Sequence, residues 1–255
     1  MDKNKLRLAA KILVESNYTV AFTGAGISIE SGIPPFRGEG GLWNSYNPEI
    51  LDLETYLDFP EKSWSAIKSL FYDFFGQAKP NKAHFILAEM EQKGLLKEVI
   101  TQNIDHLHQD AGSKLVHEFH GRSNYFVCIK CNTYYTVSDI RLTNQPPLCQ
   151  KPTCKGLLKP DFVFFGEEIP KPAYDASLEA ATRAQAFILI GTSGEIMPAS
   201  SIPIIAKQKG CRMIEINPNT SRFTSTITDI HIPMTASKGL QLLMDEMRIF
   251  KNEKI

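Results

Sequence analysis

The sequence predicts an α/β fold built on a parallel sheet with helices over both faces, and two observations predict it. Apolar runs of strand length, "EVIT" at 98–101, "AFILI" at 186–190 and "RMIEI" at 212–216, alternate with segments of helical apolar spacing. The strand-like runs end in polar or glycine-rich loops, "TGAG", "TQNIDH", "GTSGE" and "INPN". Ligands in open parallel sheets bind beyond the carboxyl ends of the strands, so the four loops are expected to converge on one site.

Taken in order, a helix is expected at 4–15, where Leu6, Leu8, Ala9, Ile12 and Leu13 recur at mostly helical spacing. A strand follows at 18–23, and Gly24 breaks it. Residues 40–79 read as irregular and then helical, with Trp43, Trp64, Leu70, Phe71, Phe74 and Phe75 supplying an apolar face that caps a cleft. Pro80 and Asn81 open a helix whose stripe is Ala83, Ile86, Leu87 and Met90, and Gly94 stops it. A cysteine-bearing insert interrupts the rhythm after 121 and runs to about 158. The rhythm resumes with helices at 172–183 and 201–209, a short strand at 229–232 and a last helix at 238–248. The expected organisation is an α/β unit from 1–121 and 159–255, a helical cap segment at 38–79 within it, and a small module at 122–158.

The chain of 255 residues carries 28 Lys plus Arg against 28 Asp plus Glu, with no basic stripe, so neither a dedicated nucleic-acid partner nor a membrane surface is expected. No span of 18 apolar residues occurs, and the N-terminus lacks the apolar core and small-residue cleavage site of a signal peptide. A cytoplasmic protein is the expectation.

Gly24 and Gly26 suit a tight turn that lets backbone approach a diphosphate, but the third glycine of the usual fingerprint would fall at 29, which is Ile. Glu30 would repel phosphate if it pointed inward, so it is expected to bond to backbone or ribose. Arg37, beside the rigid Pro34 and Pro35, is placed to bind phosphate or a ribose oxygen, or else forms a surface ion pair. In the insert, two residues separate Cys128 from Cys131, seventeen follow, and four separate Cys149 from Cys154. Four thiolates select one structural zinc ion, with an iron–sulfur cluster as the alternative, and leave no open position for a substrate. An insert this small is expected to owe most of its folding free energy to the metal. Cys211 reads as a buried small apolar residue.

The stretches "GAGISIESGIPPFRG", "TQNIDHLHQDAG", "HEFHG" at 117–121, the two Cys pairs, "KPDFVFFGE" at 159–167, "GTSGEIMPAS" at 191–200 and "EINPN" at 215–219 together resemble the sirtuin family of NAD-dependent protein-lysine deacylases. The resemblance implies a Rossmann-like doubly wound sheet with an inserted zinc module, and NAD as a consumed co-substrate. It places Gly24, Gly26, Glu30 and Arg37 in the NAD loop and Ala25, Ile33, Phe36, Asn103, Ile104 and Asp105 around nicotinamide. Asp105 would bond the carboxamide, and Phe36 would shield the emptied side. Gln102 would reach a ribose, Gly191, Thr192 and Ser193 the phosphates and adenosine ribose, and Asn217 the adenosine end. Asn103 and His120 would be catalytic. Phe162, Val163, Phe164, Phe165, Gly166 and Glu167 would pair with an extended acyl-lysine peptide and line the acyl tunnel.

The implied chemistry suits these residue types. Nicotinamide leaves readily because its ring nitrogen is cationic while attached, so the amide oxygen of acyl-lysine can attack the ribose carbon and give an alkylimidate. A neutral His then takes a proton from a ribose hydroxyl, whose oxygen attacks the imidate carbon, and water completes transfer of the acyl group to ribose, giving free lysine, nicotinamide and O-acyl-ADP-ribose. His117, His106 and His108 are the competing histidines, read as structural.

Three departures from the family pattern stand out. Position 35 is Pro where many relatives carry Asp or Thr, and the second Cys pair is wider than the common spacing. The Tyr and Arg that bind acidic acyl groups would fall near Lys68 and Phe71, which are neither, so neutral acyl groups, acetyl or longer, are expected. Protein mono-ADP-ribosylation and non-catalytic sensing of NAD or acyl peptide are the rival outcomes on the same residues.

Overall fold

The computed structural model describes residues 3–36 and 40–252. In chain order the elements are α1 (Lys3–Glu15), β1 (Thr19–Thr23), α2 (Leu53–Asp58), α3 (Pro60–Ile67), α4 (Lys82–Gln92), β2 (Glu98–Thr101), α5 (Leu107–Asp110) and β3 (Val116–Glu118). After these come β4 (Gly121–Cys128), β5 (Tyr134–Thr136), β6 (Leu158–Phe162), α6 (Lys171–Arg183), β7 (Ala186–Ile190), α7 (Ser201–Gln208), β8 (Arg212–Ile216), β9 (Ile230–Ile232) and α8 (Ala236–Asn252). No described helix is long and apolar enough to cross a membrane.

Six strands form one parallel sheet in the order β3-β2-β1-β7-β8-β9. Successive residues of a strand point to opposite faces, and the apolar runs supply both. On one face Ala21, Val99, Ile188 and Ile214 meet α1, α4 and α8 through Leu13, Leu87 and Leu243. On the other, Val20, Phe22, Phe187 and Met213 meet α6 and α7 through Ala181 and Ile202. After β1 the chain moves outward through α4 to β2, and after β7 it moves the opposite way through α7 to β8. The crevice between the ends of β1 and β7 is therefore the topological switch point, where a ligand is expected. Cys211 is buried, and burial pushes its thiol up to about 12, so it is an inert apolar residue.

The strands "EVIT", "AFILI" and "RMIEI" occupy the expected residues, and the last helix runs longer than expected, to 252. The cap segment and the insert depart from the expected division. Residues 42–77 form short helical turns, α2, α3 and a π-helical turn at Lys68–Phe74. Their Tyr56, Trp64 and Phe71 share one core with Phe126, Leu158 and Phe162. The insert's antiparallel sheet, β5-β4-β6, also takes its third strand from residues beyond 158. The reason is burial: a few dozen residues around a metal have too little apolar surface to close on themselves, and the helical segment has an unpartnered apolar face. The insert is thus held by apolar burial as well as by its thiols.

Two glycines fix the crevice. An added Cβ on Gly26 would lie 2.5 Å from Gly191 Cα, and Gly191 itself has φ +59 with Gly26 backbone equally close. The Gly26 amide donates to the Gly191 carbonyl at 2.8 Å. Gly26→Ala is expected to destabilise the fold by about 1–3 kcal/mol through overpacking against backbone, measured by urea unfolding against the wild type.

Candidate active site

The loops after β1, β2, β7 and β8 converge with residues 162–167 on a cleft of about 1010 Å³. Gly24, Ala25, Gly26, Glu30, Phe36, Gln102, Asn103, Ile104, His120, Gly191, Thr192, Ser193 and Asn217 all border it. The buried Ile33 and the half-buried Asp105 are not among the residues that border it, and Arg37 lies outside the described residues.

The loop after β1 is anchored from three sides. Glu30 accepts hydrogen bonds from the Ser237 amide (3.0 Å) and the Thr235 hydroxyl (3.4 Å) at the start of α8, so its carboxylate faces one backbone and one side-chain donor. Asn81 caps α4 by accepting from the Ala83 amide (2.9 Å) and donates to the Ile27 carbonyl (2.7 Å) and Ser31 hydroxyl (2.9 Å). Asn103 donates to the Gly24 carbonyl (3.2 Å) and to the Ser28 hydroxyl (3.1 Å), which in turn donates to Asp105 at 2.6 Å.

Ser28 is thus the hinge of the Asn103 and Asp105 pair, and the sequence reading passed over it. A serine in a glycine-rich turn looks like ordinary turn chemistry, and only the tertiary structure brings it to a loop some 75 residues away. Burial pushes the Asp105 carboxyl above the usual carboxylate range, while the Ser28 hydroxyl and Leu107 amide pull it back down.

On the facing side, Gln102 donates to the Thr192 hydroxyl at 3.0 Å and Asn217 donates to the Thr192 carbonyl at 3.0 Å. Three strand ends are thereby tied together. Glu215, buried on β8, accepts from the hydroxyls of Ser221 (2.5 Å), Thr224 (2.8 Å) and Thr228 (2.7 Å), which pins the loop beyond Asn217.

His120 follows β3 and precedes β4, where the two sheets meet. Its Nδ1 lies 3.0 Å from the Gln102 carbonyl, which can only accept, so Nδ1 carries the proton and Nε2 is left as the free base at the cleft. Burial lowers its pKa below the ordinary 6.5, with the carbonyl pulling weakly the other way. The competing histidines are engaged elsewhere: His117 bonds Glu98 at 2.5 Å, His106 faces Glu118 at 3.3 Å, and His108 is buried against Thr23.

The stretch 162–167 borders the cleft unevenly. The ring of Phe164 is buried on Tyr56 and Phe162, with centroids 5.2 and 5.1 Å away, whereas Phe165 is exposed. The Phe165 amide and carbonyl pair with Leu51 and Leu53. Glu167 accepts from Lys159 Nζ (2.9 Å) and the Phe164 amide (2.7 Å), so its carboxylate holds the loop's shape. Trp43, Leu51 and Phe71 extend the apolar wall. Among the described residues no Lys or Arg lines the cleft, and Lys68 is held by Asp73 at 2.7 Å.

The four thiols of Cys128, Cys131, Cys149 and Cys154 lie within 4.8 Å of one another, with Cys128 to Cys154 at 3.6 Å and Cys131 to Cys149 at 3.7 Å. A zinc tetrahedron with bonds of about 2.3 Å has edges of about 3.8 Å, so the donor set fits a structural ion. Asn132 and Lys155, each at φ 53, turn the two knuckles, and a Cβ on Gly156 would come within 2.9 Å of the Cys128 sulfur. The wider second knuckle closes through the Cys154 amide on the Lys151 carbonyl at 3.0 Å.

The fold and cleft define a nucleotide-binding α/β protein with a tetrathiolate module beside its switch point. The Sir2 family model matches residues 24–198. The chain is 43% identical over 243 residues to NAD-dependent protein deacylase 2 of Pyrobaculum aerophilum, covering 94% of each. With the NAD-dependent protein deacetylase of Thermotoga maritima it shares 39% over 227 residues, 88% of this chain and 91% of that one. Among solved structures it superposes on a Sir2 homologue in complex with NAD (TM-score 0.88, 40% identity, 98% and 95% coverage). It also superposes on a complex of Sir2 with a p53 peptide and NAD (TM-score 0.85, 37%, 94% and 97%). The chain belongs to the Sir2 family.

Both tryptophans lie in the unit that carries the thiols, and Trp64 is buried 5.9 Å from the ring of Phe126. Chelating the zinc, worth on the order of 10 kcal/mol in isolated fingers, is expected to lower the melting temperature and red-shift tryptophan emission. Unchanged melting and emission in metal-free protein would remove the structural role.

Proposed function

We propose that the protein removes neutral acyl groups from protein lysines in an NAD-consuming reaction that yields free lysine, nicotinamide and O-acyl-ADP-ribose. The observation that carries this is the tautomer of His120, a neutral imidazole with its free nitrogen at the cleft, a few residues from the Asn103, Ser28 and Asp105 constellation in space. When bound, NAD supplies an electrophilic ribose carbon as nicotinamide departs, and a ribose hydroxyl that ends up carrying the acyl group.

The chain's residues divide that work. Gly24, Gly26 and Gly191 bring backbone close to the diphosphate, and Gln102, Thr192, Ser193 and Asn217 face the riboses. Arg37 is proposed to add a cation to the NAD loop. Asn103, Ile104 and Asp105 with Ala25, Ile33 and Phe36 form the nicotinamide end, where Ser28 fixes the Asp105 carboxyl for the carboxamide. His120 accepts the ribose hydroxyl proton at Nε2 and keeps its orientation through the Gln102 carbonyl.

An extended peptide pairs with the backbone groups of the 162–167 stretch that the loop's own contacts leave unused, since Phe165 is taken by Leu51 and Leu53 and Phe164 by Glu167. Its acyl-lysine enters between Phe162, Val163 and Phe71. Burying those carbons is favourable, whereas an acidic acyl group would bring a charge to a wall that has no Lys or Arg among the described residues.

Mass analysis of products from acetyl, longer-chain and succinyl lysine peptides tests this. Acetyl or longer chains are expected to turn over at least about tenfold faster than succinyl, with matched nicotinamide and O-acyl-ADP-ribose. Peptide gaining one ADP-ribose would favour the transferase instead, and no product at all a sensor. Equal turnover on the three peptides would refute the neutral tunnel.

The pH profile is a separate test. His120 acts when neutral, and burial holds its pKa below 6.5, so activity is retained down through pH 6.5 and falls only at lower pH as the ring protonates. His120→Ala is expected to abolish deacylation while still binding NAD by calorimetry.

A further inference from the structure

Behind the cleft wall two buried histidines face each other, and the reaction as described uses neither. His84 on α4 and His108 on α5 are both shut off from solvent, their rings at 66° with centroids 4.9 Å apart. The Asn81 amide donates to His84 Nδ1 at 3.3 Å, so a neutral His84 carries its proton on Nε2. Thr23 spends its single hydroxyl proton on Thr101 at 2.9 Å, so its 2.9 Å contact with His108 is donated by Nε2–H, and His108 Nδ1 is a bare acceptor. Among the described residues His84 Nε2 and His108 Nδ1 have no partner. One is a donor and the other an acceptor, on rings whose centroids are 4.9 Å apart, and an ordered water that has room between two such atoms satisfies both.

We infer that one buried water links His84 Nε2–H to His108 Nδ1, and that His108 is thereby a positioning residue for Asn103. The line runs from His108 through Thr23 and Thr101, whose hydroxyl accepts the Asn103 amide at 3.1 Å. It fixes the backbone from which Asn103 reaches Gly24 and Ser28. Both rings stay neutral because burial lowers His84 to about 4 and His108 well below the ordinary range. A second proton on either ring would replace an acceptor with a donor and break the line at that point.

The kinetic arm of the test rests on the proposed NAD-cleaving reaction, and the structural arm does not. Side-chain nitrogen NMR of the zinc-loaded full chain is expected to show His84 and His108 neutral and protonated at Nε2 throughout about pH 5 to 8, where an ordinary histidine titrates. A crystal structure is expected to show one water within hydrogen-bond distance of both nitrogens. A proton on Nδ1 of either ring, a titration in that window, or the lack of such a water overturns the linkage, whatever the enzyme does.

In turnover, His108→Leu is expected to lower kcat about 10- to 100-fold through misplacement while the KM for acyl peptide holds. His108→Gln, which returns an N–H near the place of Nε2, recovers most of that loss. Thr23→Val added to His108→Leu costs no more than His108→Leu alone. His108→Leu with full kcat, His108→Gln as slow as His108→Leu, or additive losses would overturn the positioning role. A wild type that deacylates nothing refutes the proposed function instead and leaves the spectra and the water to decide the linkage.

Discussion

The Gly26 amide on the Gly191 carbonyl is the contact from which the site is built. It closes the seam between β1 and β7, the strands after which the chain departs in opposite directions. Because neither residue has a side chain, the two backbones come closer than any Cβ allows, and the loops they begin open toward the same crevice. Everything that lines the cleft is then placed by a strand end or by a bond to one. Gln102, Thr192 and Asn217 form a cross-strand strap, and Asn81 and Glu30 tie the first loop to helices on the sheet's α4 and α8 side.

The electrostatics of the cleft follow from how little charge it holds. Its polar groups are mostly amides, hydroxyls and an imidazole, and of its carboxylates Glu30 is engaged by the Ser237 amide and Thr235 hydroxyl and Glu167 by Lys159, while Glu195 is exposed to solvent; the neighbouring Asp105 is held by Ser28. Such engaged groups can be desolvated without the penalty of an unpaired charge. Burial likewise disfavours the charged form of His120 and lowers its pKa.

The small unit shows two kinds of stabilisation sharing one structure. The thiols fix the hairpin ends, and a core of Trp64, Tyr72 and Phe126 with Leu158 and Phe162 fixes the rest. Because Phe162 and Phe71 belong both to that core and to the cleft wall, the thiol module and the shape of that wall are mechanically connected.

Five of the six strands of the parallel sheet, the four loops at their ends and the thiol quartet were legible in the sequence, because each is a local signal. Strands buried on both faces must be continuously apolar, glycines must sit where backbones touch, and thiols at short spacing can meet one ion. The tertiary structure alone decided that Ser28 joins Asn103 to Asp105, that Phe164 turns into the core, and that residues 42–77 pack with the cysteine insert. It also decided the tautomer of His120. None of these is local: each depends on which segments, tens of residues apart, the folding of the sheet brings within hydrogen-bond or van der Waals reach. A hydroxyl or an aromatic ring carries no mark in sequence of the neighbour it will meet.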